Sequence, residues 1–318
     1  MWQSIASSRV IALRLPGSAP MLSPRRTPQG EIGDYRPRLF TILSAAIRFG
    51  NASENSAMTD KILTSQDGNI ARIVFNQPEK RNAVSLEMWE AVEKALDAYK
   101  DDDGVRVLIL SGAGGKAFVS GADISKFESE RASAEAVAHY NATTKRVYDK
   151  VANFPKPVIA QIDGFCVGGG VALAVCCDMR ICGEGSQFAV PAAKLGLGYP
   201  YEGLRRLTGV VGPSFAKEIF YTARRFSASE AYDMGLANRV VPDAEVEKYC
   251  TDYAEMIAGN APLTVNAVKA IVNEVMKDDS DRDLDMCARL VAECFASQDY
   301  IEGRRAFMEK RKPNFTGS

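Results

Sequence analysis

The sequence predicts an α/β fold with an appended helical segment, and two observations predict it. Short β-branched runs alternate with stretches of helical periodicity from Met58 to about residue 258, and beyond that point the pattern is helical alone. The runs 70–76 (IARIVFN), 105–111 (VRVLILS) and 156–162 (KPVIAQI) are rich in Val and Ile, are bounded by Gly, Pro or Asp, and read as buried strands. Between the first two, residues 85–100 read as a helix carrying Leu86, Trp89, Val92 and Leu96 on one face, with Ser85, followed by Glu87 and Met88, expected to open it as a capping box. Residues 133–154 read as a second helix. Three more follow at 261–276, 281–297 and 300–311. The expected organisation is an N-terminal extension at 1–57, a core domain at 58–258 and a C-terminal helical domain at 259–318.

The extension differs from the rest in composition. It carries seven Arg, no Lys, three acidic residues and five Pro, so it has a charge of +4 against −5 for the remainder. Two readings stand: an Arg- and Ser-rich organellar transit peptide, which implies the mitochondrial matrix, or translated sequence ahead of a start at Met58, which implies the cytoplasm. Pro breaks and the lack of a sustained amphipathic helix favour the second.

Composition excludes several classes of function. Thirty-nine basic and 40 acidic residues leave a net charge of −1, which offers no general attraction to nucleic acid or to an anionic membrane. No apolar run approaches the roughly 18 residues of a membrane span. Seven cysteines with no C-x-x-C spacing suggest free thiols in a reducing compartment. The lone histidine, His139, rules out multi-histidine metal sites, and its place on a helix face reads as ordinary surface, so no metal site is expected.

Three glycine-containing segments could carry chemistry. GAGGKAF (112–118) fits G-x-G-x-x-A, but the chain runs on into another turn where a dinucleotide site needs a helix, so it reads as a loop. In GFCVGGGVALAVCCD (164–178), three glycines follow a strand and precede small apolar residues that read as a buried helix. Gly169 then opens that helix, where main-chain N–H groups lack partners and no side chain obstructs a ligand; tight helix-to-sheet packing is the competing explanation. The turn Ser120-Gly121-Ala122-Asp123 could aim a second N–H at the same point. Two converging donors form an oxyanion hole.

The blocks NQPEKRNAVS (76–85), KAFVSGADI (116–124), KPVIAQIDGFCVGGG (156–170), CDMRIC with QFAVPAAKLGL (177–197), FSASEAYDMGLANRVVP (226–242) and EGRRAFMEKRKPNF (302–315) together resemble the crotonase superfamily of enoyl-CoA hydratases and isomerases, in order across 58–318. The resemblance implies a spiral of ββα units with a C-terminal helical trimerisation domain, assembled as a homotrimer or a dimer of trimers. It implies an acyl-CoA thioester as ligand, with coenzyme A arriving as part of the substrate and no separate cofactor. By that match Ala122 and Gly169 donate the oxyanion-hole N–H groups, Ala83, Asp123 and Ile124 line the substrate path, and Phe307 and Lys310 meet the CoA nucleotide, often from a neighbouring subunit. Lys80 and Arg81 lie where a CoA phosphate could pass, although an exposed solvated pair is an equal reading.

One departure stands out. Hydratases of the superfamily carry a glutamate three residues after the central glycine and another after the proline of the QF-x-x-P-E block; here those positions are Ala172 and Ala192. Neither can move a proton, so water addition is disfavoured, while isomerisation or decarboxylation of a malonyl-type thioester stays open. GYPYEGLRRL (198–207) reads as a loop presenting Tyr199, Pro200, Tyr201 and Glu202, in which Tyr199 and Glu202 are candidates for a relocated acid or base, or the loop simply fills the pocket. A catalytically silent acyl-CoA binder or assembly subunit is the alternative. Asp178 and Glu184 read as structural.

Overall fold

The computed structural model describes residues 59–126, 130 and 132–318; the N-terminal extension and its proposed start at Met58 lie outside the described residues. The fold begins with a hairpin, β1 (Ile62–Asp67) and β2 (Ile70–Phe75), turned at Gly68, whose φ of 55° suits a residue without Cβ. From β2 onward the main sheet is parallel: β3 (Val107–Gly112), β5 (Val158–Ile162), β7 (Met179–Gly183) and β10 (Arg239–Val241) complete the order β1-β2-β3-β5-β7-β10. A second sheet holds β4 (Ala117–Val119), β6 (Phe165–Val167), β8 (Gln187–Ala189) and β9 (Phe226–Ser227) in that order. Each of β3, β5 and β7 is thus followed by a short strand in the other sheet, and then by helical structure. This is the α/β spiral of two-strand-and-helix units expected from the blocks.

The helices are α1 (Leu86–Lys100), α2 (Ala134–Ala152), α3 (Gly169–Ala174), α4 (Tyr201–Thr222), α5 (Ala228–Asp233) and α6 (Val246–Ala258), followed by α7 (Pro262–Val275), α8 (Leu284–Ala296) and α9 (Gln298–Glu309). The main sheet is covered on both faces, which explains why its strands read as unbroken apolar runs. Val107, Ile109 and Ile159 pack with Val246, Cys250 and Ala254 of α6. Their alternating neighbours Leu108, Leu110, Val158 and Ala160 join the larger core with Trp89, Val92 and Leu96 of α1. All seven cysteines are free thiols. Among the described residues no helix is long and apolar enough to cross a membrane.

Two local expectations change. Ser85 caps α1 by accepting from the Met88 N–H at 3.4 Å, but the residue at that third position is Met88, so the reciprocal half of a capping box is missing. A full capping box forms instead at α5, between Ser227 and Glu230. The second change concerns 198–207: Pro200 is extended, with ψ of 150°, and α4 starts at Tyr201, so Glu202 belongs to a first helical turn and only Tyr199 stays in the loop.

α3 lies close against the small sheet at Gly170, where a Cβ would stand 2.1 Å from the Val119 carbonyl oxygen. Overpacking of this kind typically costs 1–3 kcal/mol and occasionally more. Because the contact here is with main chain, Gly170→Ala is expected to lower stability by about 3 kcal/mol or more in urea unfolding. An unchanged midpoint would mean that α3 can move away from β4 freely.

Candidate active site

Three parallel strand exits meet at one end of the small sheet. β4 pairs with β6 (Ala117↔Phe165, Val119↔Cys166) and β6 with β8 (Phe165↔Gln187, Val167↔Ala189). The chain therefore leaves all three strands side by side, at Ser120–Asp123, at Gly168–Gly169 and at Val190–Ala192. A Cβ built on Gly121 would stand 3.9 Å from the Gly169 nitrogen, so the first two turns touch. Gly121 has φ of 108°, a conformation that suits glycine.

Main-chain pairing decides where the two expected donors point. Ala122 bridges to Val84 in the parallel sense: the Val84 N–H donates to the Gly121 carbonyl at 2.8 Å, and the Asp123 N–H donates to the Val84 carbonyl at 3.0 Å. In a parallel bridge the flanking residues make the bonds, so the N–H of Ala122 faces away from Val84. Gly169 is the first residue of α3, where an N–H has no intrahelical acceptor. Among the described residues neither N–H has a protein acceptor. Ala122, Gly169 and Ala172 all stay partly accessible.

The Ala122 turn is held by buried polar groups. Asp123, 5% exposed, accepts from the Ser125 N–H at 3.0 Å, from the Ser125 hydroxyl at 2.6 Å and from Lys80 Nζ at 2.8 Å. Burial pushes its carboxyl pKa up, but Lys80 and Ser125 together outweigh that and bring it down to about 2. Lys80 is thus half-exposed and ion-paired, while the Arg81 guanidinium stands over the Phe165 ring at 4.8 Å. Asn82, completely buried with φ of 55°, donates to the carbonyls of Ala113 and Ala117 and accepts from the Gln77 N–H, tying the Lys80–Ala83 segment to β4.

Beyond Gly169 lie aromatic side chains, a thiol and an ion pair. Tyr148 of α2 donates to the Gly169 carbonyl at 3.1 Å and lies edge-on to Trp89, whose indole donates to the Tyr140 hydroxyl at 3.3 Å. Cys176 Sγ donates to the Ala172 carbonyl at 3.1 Å, and burial pushes its thiol up to about 12. Arg206 of α4 pairs with Asp149, the residue after Tyr148. Tyr199 stacks edge-on against Phe220 with centroids 4.7 Å apart, and burial, then the nearby Cys176, raise its phenol to about 12. Ala192 is buried in the same core.

The structure thus brings together Ala122, Asp123, Lys80 and Gly169, with Tyr199 alongside Tyr148 and Cys176. Glu202 is exposed on α4, and Ile124 is 69% exposed at the rim. Ala83, half-buried, donates its N–H to the Lys80 carbonyl. Phe307, 82% exposed, lies on α9 in a different groove of about 880 Å³, and Lys310 is the left-handed C-cap of that helix. His139 is an exposed helix residue 3.5 Å from Glu90. Asp178 ties the Val158 N–H to Lys269, a structural role. Sequence reasoning missed Tyr148, Asn82 and Arg206. Only Asn82 carried a signal, as a polar residue inside a matched block.

The family profile described as "Enoyl-CoA hydratase/isomerase" matches residues 65–318. The chain belongs to the enoyl-CoA hydratase/isomerase family. Among its family relatives, a "Crotonyl-CoA hydratase" of Syntrophomonas wolfei is 37% identical over 80% of this chain and 98% of its own. A peroxisomal "Delta(3,5)-Delta(2,4)-dienoyl-CoA isomerase" of Arabidopsis thaliana is 34% identical over 80% and 95%. Among solved structures, an "enoyl-CoA hydratase/ carnithine racemase" from Magnetospirillum magneticum superposes with a TM-score of 0.76 at 38% identity, covering 82% of this chain and 97% of that one. A family member from Hyphomonas neptunium gives 0.78 at 37%, covering 82% and 99%.

The Asp123 ion pair makes a pH prediction. An unfolded aspartate titrates near about 3.9, whereas this one titrates near about 2 in the fold. Its contribution is therefore complete above about pH 5 and is lost as pH falls through the folded value. Asp123→Asn is expected to cost about 1–2 kcal/mol, allowing for solvent screening at half-exposed Lys80. In urea unfolding the gap to the natural protein should stay constant from pH 5 to 8 and narrow below pH 4.

Proposed function

We propose that the protein binds an acyl-CoA thioester and stabilises its enolate between the N–H groups of Ala122 and Gly169. The observation that supports this reading is that two main-chain N–H groups, neither with an acceptor among the described residues, lie at neighbouring strand exits whose turns touch. A thioester carbonyl is weakly resonance-stabilised, so its α-carbon readily gives up charge to oxygen, and the anionic oxygen needs donors fixed in advance. Each such donor typically contributes about 2.7–4 kcal/mol to the transition state. We assign Lys80, Arg81, Ala83, Asp123 and Ile124 to the approach of the CoA arm, as the resemblance implies, and the family's relatives are named for CoA esters.

Water addition is the reaction least supported. Ala172 and Ala192 present methyl groups where the family pattern has acids, and near Ala172 stand the neutral thiol of Cys176 and the phenol of Tyr199. Tyr199, with its phenol raised to about 12, is protonated at neutral pH and can give a proton but not take one. That combination favours decarboxylation of a malonyl-type thioester. The bond to the carboxylate breaks, CO2 leaves, the electron pair enters the enolate held by Ala122 and Gly169, and Tyr199 protonates the α-carbon. Isomerisation, the chemistry named for the Arabidopsis relative, would also need a base, for which Glu202 in the first turn of α4 is our candidate.

The C-terminal helices support an assembly role. Val268, Val291, Phe295, Phe307 and Met308 stand between 44% and 82% exposed around the α7–α9 groove, more apolar surface than an isolated helical layer usually shows. We assign it to a homotrimer or dimer of trimers in which Phe307 and Lys310 reach a neighbouring subunit's CoA.

The purified protein is expected to release CO2 from a malonyl-type CoA ester and to leave crotonyl-CoA unhydrated. Gly169→Pro, which deletes one donor, should slow turnover by about 10²–10³-fold, and Tyr199→Phe by about 10²-fold. Turnover should show no loss of activity up to pH 9, because the phenol stays protonated. Efficient hydration would overturn the role given to the two alanines. Tight binding without turnover of malonyl-, 3-enoyl- or crotonyl-CoA would establish the silent binder in its place.

A further inference from the structure

Three consecutive glycines, Gly168 to Gly170, carry the second donor, and a run without Cβ atoms is the loosest backbone a chain can build. Catalysis by a fixed N–H demands the opposite, so something must hold the run still. The Gly168 N–H donates to the Ala189 carbonyl at 2.8 Å, which fixes its start to β8, and the Ala172 N–H donates to the Gly168 carbonyl at 3.1 Å, which closes the first turn of α3. A third hold comes from a side chain: the Tyr148 hydroxyl, from α2, donates to the Gly169 carbonyl at 3.1 Å.

We propose that Tyr148 is a positioning residue of this site: by holding the Gly169 carbonyl, in the peptide plane next to the one that carries the Gly169 N–H, it limits rotation of the Gly169 backbone and keeps that N–H aimed at the thioester oxygen. The inference rests on the oxyanion reading above. Tyr148 is itself fixed from both sides. Its ring stands edge-on to Trp89 with centroids 5.4 Å apart. The next residue, Asp149, is paired with Lys145 at 2.6 Å and with Arg206 of α4. A Cβ on Gly169 would lie 3.2 Å from the same hydroxyl, a tight contact that the phenol would have to shift by a few tenths of an ångström to relieve. The surrounding protein keeps the phenol well above its ordinary pKa, so the donor is retained at every working pH.

The test uses the full chain with a conjugated enoyl-CoA, whose ultraviolet band moves to the red when its carbonyl is polarised. Tyr148→Phe keeps the ring and deletes the donor. It is expected to bind the ester within twofold of the natural protein, to lose at least half of the red shift, and to exchange amide hydrogens about tenfold faster at residues 168–172 with no change at 158–162. A full red shift and unchanged exchange in a folded Tyr148→Phe protein would overturn the inference. Should that variant not fold, fluorotyrosine placed at 148, a stronger donor of the same shape, should increase the shift, and an unchanged shift would overturn the inference equally. If the natural protein binds the ester with no red shift, the oxyanion reading itself falls; if it shifts and Tyr148→Phe matches it, only the role of Tyr148 falls.

Discussion

Parallel pairing of β4 with β6 is the constraint on which the rest of the site depends. Parallel neighbours end on the same side, so the turn after each emerges beside the other, and the register that sets Val119 against Cys166 brings Gly121 against Gly169. With β8 joined in the same sense, the turn bearing Ala192 arrives at the same edge. Three segments far apart in sequence thus form one mouth. Strong hydrogen bonding inside the sheet leaves unpaired N–H groups only where the strands stop, and it is those groups that could meet a ligand.

The turns themselves would be pliable without the polar residues beneath them. Asn82 uses its amide on two carbonyls and its oxygen on one N–H, and Asp123 is surrounded by a lysine, a hydroxyl and an amide. A buried polar group left unpaired is costly, whereas one that is fully paired fixes geometry. The same logic applies on the far wall, where Arg206 and Asp149 pair behind Tyr148. Rigidity around the two donors therefore comes from polar residues that touch no candidate donor directly, except at Tyr148.

Chemistry in the pocket is shaped by what its wall lacks. A carboxylate positions and activates water, while alanine, cysteine and a protonated phenol do not. In the proposed reading, alanines at 172 and 192 leave two main-chain donors to stabilise an enolate and offer no carboxylate there to shuttle protons. This is why the proposed function is a reaction that produces its enolate by bond cleavage.

Much of this was legible in the residues themselves. The β-branched runs at 105–111 and 156–162 became β3 and β5, the helix at 85–100 became α1, and three C-terminal helices fell within a few residues of their expected ends, because burial periodicity is a local property. The short strands of the second sheet, at two or three residues each among β4, β6, β8 and β9, are too brief to show a period. Glycine positions marked both turns, and the missing glutamates were visible as letters. Only the tertiary structure decided that the two turns touch, that Glu202 sits on a helix and outside the loop, and that Tyr148 reaches Gly169. Contacts between α2 and α3 join residues 21 positions apart, and no local pattern of polarity encodes which hydroxyl will meet which carbonyl.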